Sequence, residues 1–227
     1  SFEEPTCLAK ALIHSASEPA GQGEYFLELD RERTADLQQF ARRHKVTANT
    51  LVQAAWLLLL QRCTGQDTVC FGATVSGRPA QLSGVEQQIG LFINTLPVIA
   101  SPRAEQPLAQ WLQQVQAQNL SLREQEHTPL FDIQRWAGQG GEELFDSLLV
   151  FENYPIAQAL EQGAPDGMSF GPAAPRAPPP SPLTLLVGLD RQLSVHMSFQ
   201  RASFEPATVT RLATHLAQAP ATLDALM

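Results

Sequence analysis

The stretch IGLFINTLPV, residues 89–98, has the composition of a buried β-strand but carries an amide and a hydroxyl, Asn94 and Thr95, in the middle of its apolar run. Branched and aromatic side chains favour strands. A second stretch of this kind, DTVCFGATVS, comes before it at 67–76. We therefore predict strands over 67–76 and 88–100 with a loop between them. A buried amide costs about 1 to 3 kcal/mol if it has no hydrogen-bond partner, so Asn94 must have one.

Helical periodicity predicts four helices around these strands. The second of them is apolar on nearly all sides, so it must be buried. Thr34 and Thr47 are the expected N-caps of the first two helices, and Gly65 is the expected C-terminal cap of the second. The predicted helices span 34–45, 48–62, 107–126 and 206–217.

Four further strands are predicted at 24–30, at 144–154, and in a hairpin that turns at 190–192. The segment 161–182 is rich in Gly and Pro and can form neither a helix nor a central strand. We expect it to run extended over a surface. The predicted fold class is α/β, with a mixed, α+β-type sheet and helices packed on it.

Composition excludes several classes of function. The 227-residue chain has 15 Lys and Arg against 23 Asp and Glu, a net charge of −8, and no basic cluster longer than 42–45, which argues against a nucleic-acid partner. The longest apolar run, 54–60, is far shorter than the roughly 20 residues that cross a bilayer, so we expect no membrane span. The odd number of cysteines, without a CxxC pair or a secretory signal, favours the reducing cytoplasm.

The sequence contains no set of residues at a spacing that is typical of a catalytic or metal site. The five histidines are scattered without an HExxH pair, and neither a GxSxG elbow nor a dinucleotide-binding fingerprint occurs. His196 should lie in mid-strand on the solvent side. His127 ends the third predicted helix, where it either interacts with the helix dipole or lies near a loop. We expect no metal site and no catalytic residue in this chain.

Four stretches resemble motifs of the condensation domains of nonribosomal peptide synthetases. SGRP at 76–79 is followed by IGLFINTLP at 89–97, which matches the family's hydrophobic-Gly-x-Phe-hydrophobic-Asn-Thr motif. Downstream, HTPLFDIQRWAG at 127–138 resembles the His-x-x-x-Pro-Phe-Glu region in a variant form, and LFDSLLVFENYP at 144–155 resembles the next motif. The resemblance covers nearly all of 24–218 and is to the C-terminal half of these domains.

The resemblance implies a chloramphenicol-acetyltransferase-like lobe. Complete condensation domains have two such lobes arranged as a V, and the first carries a His-His-x-x-x-Asp-Gly motif whose second histidine serves as general base or positioning group. This sequence contains no His-His pair. We therefore expect the chain to be the second lobe, with 1–23 as a lead-in from the first lobe, 24–227 as the lobe itself and 161–182 as a crossover that reaches over the first lobe.

By resemblance, the strand that contains Asn94 lines the tunnel between the lobes. Asn94 would offer its amide beside the reacting thioester and amine while Ile93 faces the core; alternatively, Asn94 satisfies the backbone at the end of a neighbouring strand. Arg78 would orient the phosphopantetheine arm or a carboxylate, or would tie down its loop through Ser76. The residues that the resemblance places along the tunnel are Ser76, Arg78, Gly90, Phe92, Asn94, Thr95, His127 and Asn153.

The implied function is peptide-bond formation, in which the amine of an aminoacyl thioester on a downstream carrier protein attacks an upstream acyl or peptidyl thioester. The lobe would not catalyse this alone and would bind no cofactor directly, since the 4'-phosphopantetheine belongs to the carrier proteins. Its partners would be the N-terminal lobe, the upstream and downstream peptidyl carrier proteins and an adjacent adenylation domain. Two alternatives remain open: a lobe of an epimerization domain, and a non-catalytic lobe that binds carrier proteins.

Overall fold

The computed structural model describes residues 4–12, 21–76, 84, 89–90, 92–138, 143–152 and 181–218, which form six strands and six helices. The strands are β1 (Gln22–Glu28), β2 (Val69–Val75), β3 (Asn94–Ala100), β4 (Ser147–Glu152), β5 (Leu183–Leu189) and β6 (Leu193–Gln200). The helices are α1 (Leu8–Ala11), α2 (Arg31–Arg43), α3 (Ala48–Thr64), α4 (Leu108–Arg123), α5 (Leu130–Trp136) and α6 (Pro206–Ala217).

All these strands belong to one mixed sheet with the order β1-β6-β5-β4-β2-β3. β4 pairs in parallel with both β2 and β5, and the other neighbouring strands are antiparallel. β5 and β6 form the predicted hairpin, in which the N–H of Asp190 donates to the carbonyl of Gln192. The mixed sheet with packed helices confirms the predicted fold class.

One face of the sheet is covered by α2, α3, α4 and α6, with α3 at the centre of the layer. Residues 51–60 of α3 are all buried, as its all-round apolar pattern requires. Both predicted caps are confirmed, because Thr47 Oγ1 accepts a hydrogen bond from the N–H of Thr50 (3.1 Å) and Gly65 adopts a φ of 71°. Each buried Leu of this helix contributes roughly 1.5–3 kcal/mol, so α3 ties the helix layer to the sheet.

The opposite face carries the short helix α5, which lies over β2, β3 and β4. Leu130 and Ile133 of α5 pack onto a small apolar cluster that includes Cys70 and Leu148. The alternation of side chains along β2 therefore directs odd-numbered residues to the main core and even-numbered residues to the α5 face. Sequence analysis did not predict α5, because seven residues are too few to show a helical period.

The predicted strand over 88–100 is shorter than expected. β3 begins at Asn94, since its pairing with β2 ends where Asn94 lies opposite Val75. Ile93, immediately before it, is 65% exposed. The expectation that Ile93 faces the core was wrong, because a residue beyond the last ladder pair has no sheet to direct its side chain inward.

The N-cap of α2 is Asp30 and not the predicted Thr34. Asp30 Oδ1 accepts a hydrogen bond from the N–H of Arg33 (2.8 Å), and an acidic side chain at this position also complements the helix dipole. Thr34 lies inside the first turn, where its hydroxyl donates to the carbonyl of Asp30 (2.8 Å) and accepts from the N–H of Leu193 (3.1 Å). Thr34 therefore links α2 to β6.

Residues 4–12 pack onto the same core as the rest of the described chain. Leu8 of α1 is fully buried. The carboxylate of Asp146 accepts a hydrogen bond from the N–H of Ala9 (2.7 Å) and so caps α1, which has no local side-chain cap. This segment contributes to the folded core.

Of the expected crossover at 161–182, only Ser181 and Pro182 lie within the described residues. The Ser181 hydroxyl donates to the carbonyl of Asp146 (2.8 Å), immediately before β4. The rest of that expectation falls outside the described part of the chain. None of the helices in the described ranges is long and apolar enough to cross a membrane.

Candidate functional site

Asn94 has hydrogen-bond partners for its whole amide group. Its Nδ2 donates to the carbonyl oxygens of Glu126 (2.9 Å) and Thr128 (2.7 Å), and its Oδ1 accepts from the N–H of Thr95 (2.9 Å). Both amide hydrogens are therefore used by the protein itself. The side chain is half-buried, where unpaired donors would be costly.

The partner of Asn94 is the connection between α4 and α5, residues 124–129. α4 ends on the helix-covered face of the sheet and α5 begins on the opposite face, so this connection passes round the edge of the sheet at β3. Asn94 attaches the connection to that edge. An Asn suits the task because its planar amide presents two donors to two backbone carbonyls and keeps an acceptor for its own strand.

This geometry decides one of the alternatives that the sequence left open. The backbone partner exists, but it belongs to the α4–α5 connection and not to the end of a neighbouring strand. Asn94 has no spare amide hydrogen to offer to a bound substrate; only Oδ1 retains an acceptor lone pair. If Asn94 contributes to a tunnel, it does so mainly by positioning the α4–α5 connection.

His127 lies between the two carbonyls that Asn94 binds. α4 ends at Arg123, and residues 124–127 form a turn that is extended by a hydrogen bond from the N–H of Thr128 to the carbonyl of Gln125 (2.9 Å). His127 is exposed at this turn. His127 therefore lies in the connection that follows α4, which agrees better with a position near a loop than with an interaction with the helix dipole.

Two more of the expected tunnel residues lie near Asn94. Thr95 is half-buried and lies opposite Thr74 in the β2–β3 ladder, on the α5 face of the sheet. Ser76 is exposed directly after the end of β2. Asn94, Thr95 and Ser76 are thus brought to one end of the β2–β3 pair, although Ser76 is far from the other two in sequence.

Gly90 and Phe92 precede this cluster. Gly90 is exposed, and a Cβ placed on it would lie 3.3 Å from Cε2 of the half-buried Phe92 ring, so the two residues are adjacent in space. The remaining expected tunnel residues, Arg78 and Asn153, lie outside the described residues.

α5 adds exposed apolar side chains that the sequence analysis did not identify. Phe131 is 67% exposed and Trp136 is 68% exposed, while Leu130 and Ile133 of the same helix face the protein. The sequence signal for these side chains was an amphipathic pattern within 130–136, which can be recognised only when the segment is known to be a helix. α5 therefore presents two aromatic rings to solvent beside β3.

The titratable groups with shifted pKa values lie away from Asn94. Burial raises the pKa of the Asp146 carboxyl, against the lowering effect of hydrogen bonds from the backbone of Ala9 and Leu8. Burial also raises the pKa of the Cys70 thiol far above its ordinary range, which disfavours the thiolate form that a cysteine nucleophile needs. No group of three or more His, Cys, Asp or Glu side chains within the described ranges could hold a metal ion.

His196 lies on the face of β6 that Ser194 and Ser198 share, as the alternation predicted. Its side chain is 20% exposed, and its Nε2 lies 4.0 Å from Oε2 of Glu24 on β1. A contact of this length with a largely exposed carboxylate contributes little. His196 is a residue of the outer sheet face.

Comparison with known proteins identifies the family. The family model described as the condensation domain matches residues 1–223. A linear gramicidin synthase of Brevibacillus parabrevis is 40% identical over 235 residues, which covers 96% of this chain and 5% of that protein. Tyrocidine synthase 2 of the same organism is 34% identical over 223 residues, covering 96% of this chain and 6% of that protein. The chain thus spans a small part of these relatives.

Solved structures share the fold at lower identity. A four-domain nonribosomal peptide synthetase bound to AMP and glycine superposes with a TM-score of 0.77 at 17% identity, over 96% of this chain and 19% of that one. The first condensation domain of the CDA synthetase superposes with a TM-score of 0.72 at 20% identity, over 98% of this chain and 48% of that one. The fold is therefore the chloramphenicol-acetyltransferase-like fold of these domains, and with the family match the chain belongs to the condensation-domain family of nonribosomal peptide synthetases.

Proposed function

We propose that the chain is the C-terminal lobe of a condensation domain that forms peptide bonds between substrates tethered to carrier proteins. One observation carries this proposal: the superposition covers 98% of this chain but 48% of the first condensation domain of the CDA synthetase, which is the proportion expected for one of two lobes. The absence of a His-His pair from the sequence supports it. The lobe that carries such a pair would supply the general base or positioning group.

In this reaction the amine of the aminoacyl thioester attacks the carbonyl carbon of the upstream thioester. A C–N bond forms and the C–S bond breaks, and the amine proton leaves with the upstream phosphopantetheine thiol. Most of the acceleration comes from holding the two thioesters close together and from polar groups near the developing oxyanion. This lobe would contribute positioning and no catalytic residue.

The expected tunnel residues fall into two roles in this proposal. Ser76, Thr95 and His127 present their own polar groups at the end of the β2–β3 pair. Asn94 acts as a positioning residue, because its donors hold the carbonyls on either side of His127. Gly90, Phe92, Arg78 and Asn153 complete the proposed lining.

The proposed partners follow from this reaction. They are the N-terminal lobe, the upstream and downstream peptidyl carrier proteins with their 4'-phosphopantetheine arms, and an adjacent adenylation domain. The cysteine usage supports a cytoplasmic location for the assembly.

Reconstitution tests the proposal. The complete condensation domain that contains this chain would be mixed with a donor and an acceptor carrier protein, each loaded with an aminoacyl group, and the product on the acceptor would be identified by mass spectrometry. We expect a dipeptidyl thioester on the acceptor, and none when this chain or the other lobe is supplied alone. A product formed by this chain alone, or an epimerised donor without a new amide bond, would refute the proposal.

A further inference from the structure

Residues 4–12 form a strap that lies at the amino ends of β2 and β4. Its residue Thr6 is fully buried and makes a parallel bridge just before β4. The N–H of Thr6 donates to the carbonyl of Leu144 (3.0 Å), and the N–H of Asp146 donates to the carbonyl of Thr6 (3.3 Å). The hydroxyl oxygen of Thr6 accepts from the N–H of Cys70 on β2 (2.8 Å). One residue of the strap is therefore bonded both to β2 and to the segment that leads into β4.

Thr6 takes the place of a direct pairing between these two strands. β2 and β4 pair in parallel at two positions, of which the first is Gly72 with Leu148. Continued towards the amino ends, this register would place Cys70 beside Asp146. Thr6 lies between them instead and joins the two backbones. The spacing of β2 and β4 is therefore set by a short direct pairing and by the strap.

Other contacts hold the strap in this position. The side chain of Gln66, in the connection between α3 and β2, donates to the carbonyl of Pro5 (3.2 Å). Leu8 is fully buried in the main core, and the carboxylate of Asp146 accepts from the N–H of Ala9 (2.7 Å). Because the strap is attached along its length, a displacement of the strap would also displace the amino ends of β2 and β4.

β2 leads from the strap to the proposed tunnel. Cys70 is the second residue of this strand, and Ser76 follows its last residue directly. At that end Asn94 lies opposite Val75 in the ladder, which pairs β2 with β3 over its whole length. A strand of this size is about 20 Å long. A change in the spacing of β2 and β4 at the strap would therefore shift the end of β2 where the proposed tunnel residues lie.

We infer that the strap couples the placement of the preceding lobe to the geometry of the tunnel, with Thr6 as a positioning residue; the inference rests on the proposed function. In the two-lobe arrangement the chain comes from that lobe into the strap, so a displacement of the lobe reaches β2 and β4 through Thr6. Thr6 acts on the reaction only through the two strands that it joins. Small errors in the placement of reacting groups cost large factors in rate, so the loss of this link should slow the reaction more than the loss of stability does.

A matched pair of variants of the complete condensation domain tests the inference. Thr6→Val keeps the shape of the side chain but removes the acceptor of the Cys70 N–H. Thr34→Val removes a similarly buried acceptor, that of the Leu193 N–H (3.1 Å), away from the strap. We expect both substitutions to lower the Tm by similar amounts, but only Thr6→Val to lower the kcat of dipeptide formation about fivefold or more at an unchanged KM. Thr6→Ser, which keeps the hydroxyl, should restore the rate.

Hydrogen exchange on the same samples locates the effect. The amides of Cys70 and Asp146 donate to Thr6. We expect them to exchange at least about tenfold faster in Thr6→Val than in Thr34→Val, because the strap then holds the two strands less firmly. Equal exchange at these amides in the two variants, or equal effects of the two substitutions on kcat, would overturn the inference.

An insertion keeps the test decisive if Thr6→Val does not fold. About eight flexible Gly and Ser residues placed directly before Glu4 leave the contacts of the strap in place but uncouple it from the preceding lobe. The control is the same insertion between Ala104 and Glu105, in the exposed connection between β3 and α4. We expect only the insertion before Glu4 to slow amide formation, about threefold or more. An unchanged rate in that variant would overturn the inference.

The outcomes separate this inference from the proposed function, because amide formation by the wild-type domain is measured alongside the variants. Normal amide formation by Thr6→Val and by the variant with the insertion before Glu4 would overturn the inference and leave the function standing. A wild-type domain that forms no amide bond would refute the function. The exchange at Cys70 and Asp146 would in that case still show whether the strap joins β2 to β4.

Discussion

Replacing Asn94 by Ala removes all three of its short side-chain hydrogen bonds, two of which attach the α4–α5 connection to the edge of the sheet. The bonds to the carbonyls of Glu126 and Thr128 are 2.9 Å and 2.7 Å long, and each such bond contributes about 1 kcal/mol net. The bond from the N–H of Thr95 to Oδ1 is lost as well, and Glu126 is buried, so its carbonyl oxygen is left without a donor where water has little access. We expect Asn94→Ala to lower the free energy of unfolding by at least about 2 kcal/mol.

The matched control is Asn119→Ala on α4. Asn119 is also half-buried, but its Nδ2 has one long contact, 3.4 Å, to Thr50 Oγ1. This variant should lose less than about 0.5 kcal/mol. Asn94→Asp should cost at least as much as Asn94→Ala, because its carboxylate would face two carbonyl oxygens without a donor.

Urea unfolding and hydrogen exchange of the complete condensation domain measure both effects. The amides of residues 124–129 should exchange faster in Asn94→Ala, while those of α3 should change only by the global loss of stability. If Asn94→Ala and Asn119→Ala had the same stability, and exchange at the α4–α5 connection were unaltered, Asn94 would not hold that connection.

Three other predictions concern the buried Asp146, the tightly packed Gly72 and the N-cap of α3. Burial raises the folded-state pKa of Asp146 above its usual value of 3.8, so the contribution of Asp146 to stability is fully present below that value and is lost as the pH rises through the folded pKa. The stability of Asp146→Asn relative to wild type should therefore increase from about pH 4 to pH 7. Parallel curves of stability against pH for the two proteins, measured by urea titration, would contradict this. Gly72→Ala should destabilise by about 1–3 kcal/mol, since its Cβ would overlap the side chains of Leu148 and Phe145; thermal unfolding unchanged from wild type would show that the cluster can adjust. Thr47→Ala removes the N-cap of α3 and should cost about 1 kcal/mol, which a shift in the urea midpoint without a change in slope would verify.

Local signals were sufficient for α3. Its apolar residues, the capping Thr47 and the left-handed Gly65 all lie within or next to the helix, so the sequence predicted its position, its burial and both of its ends. The same holds for the β5–β6 hairpin and for α6, whose predicted span of 206–217 matches the structure. These elements depend on interactions between residues that are close in the chain.

Asn94 shows where local signals stop. The sequence indicated that a buried amide needs a partner, and the resemblance placed Asn94 at a tunnel. The partner lies more than thirty residues away in the chain, on the connection between α4 and α5. It could not be identified without knowing that α5 exists and lies on the opposite face of the sheet from α4.

The sequence by itself determined most of the elements, the mixed fold class and, through its motifs, the condensation-domain family. Only the tertiary structure decided the strand order, the way the chain rounds the sheet edge at Asn94, and the short parallel pairing of β2 with β4. The physical reason is that strand propensity, caps and periodicity act over a few residues, whereas the pairing of β2 with β4 joins strands separated by β3, α4 and α5. Its extent is set by how all of these elements pack together.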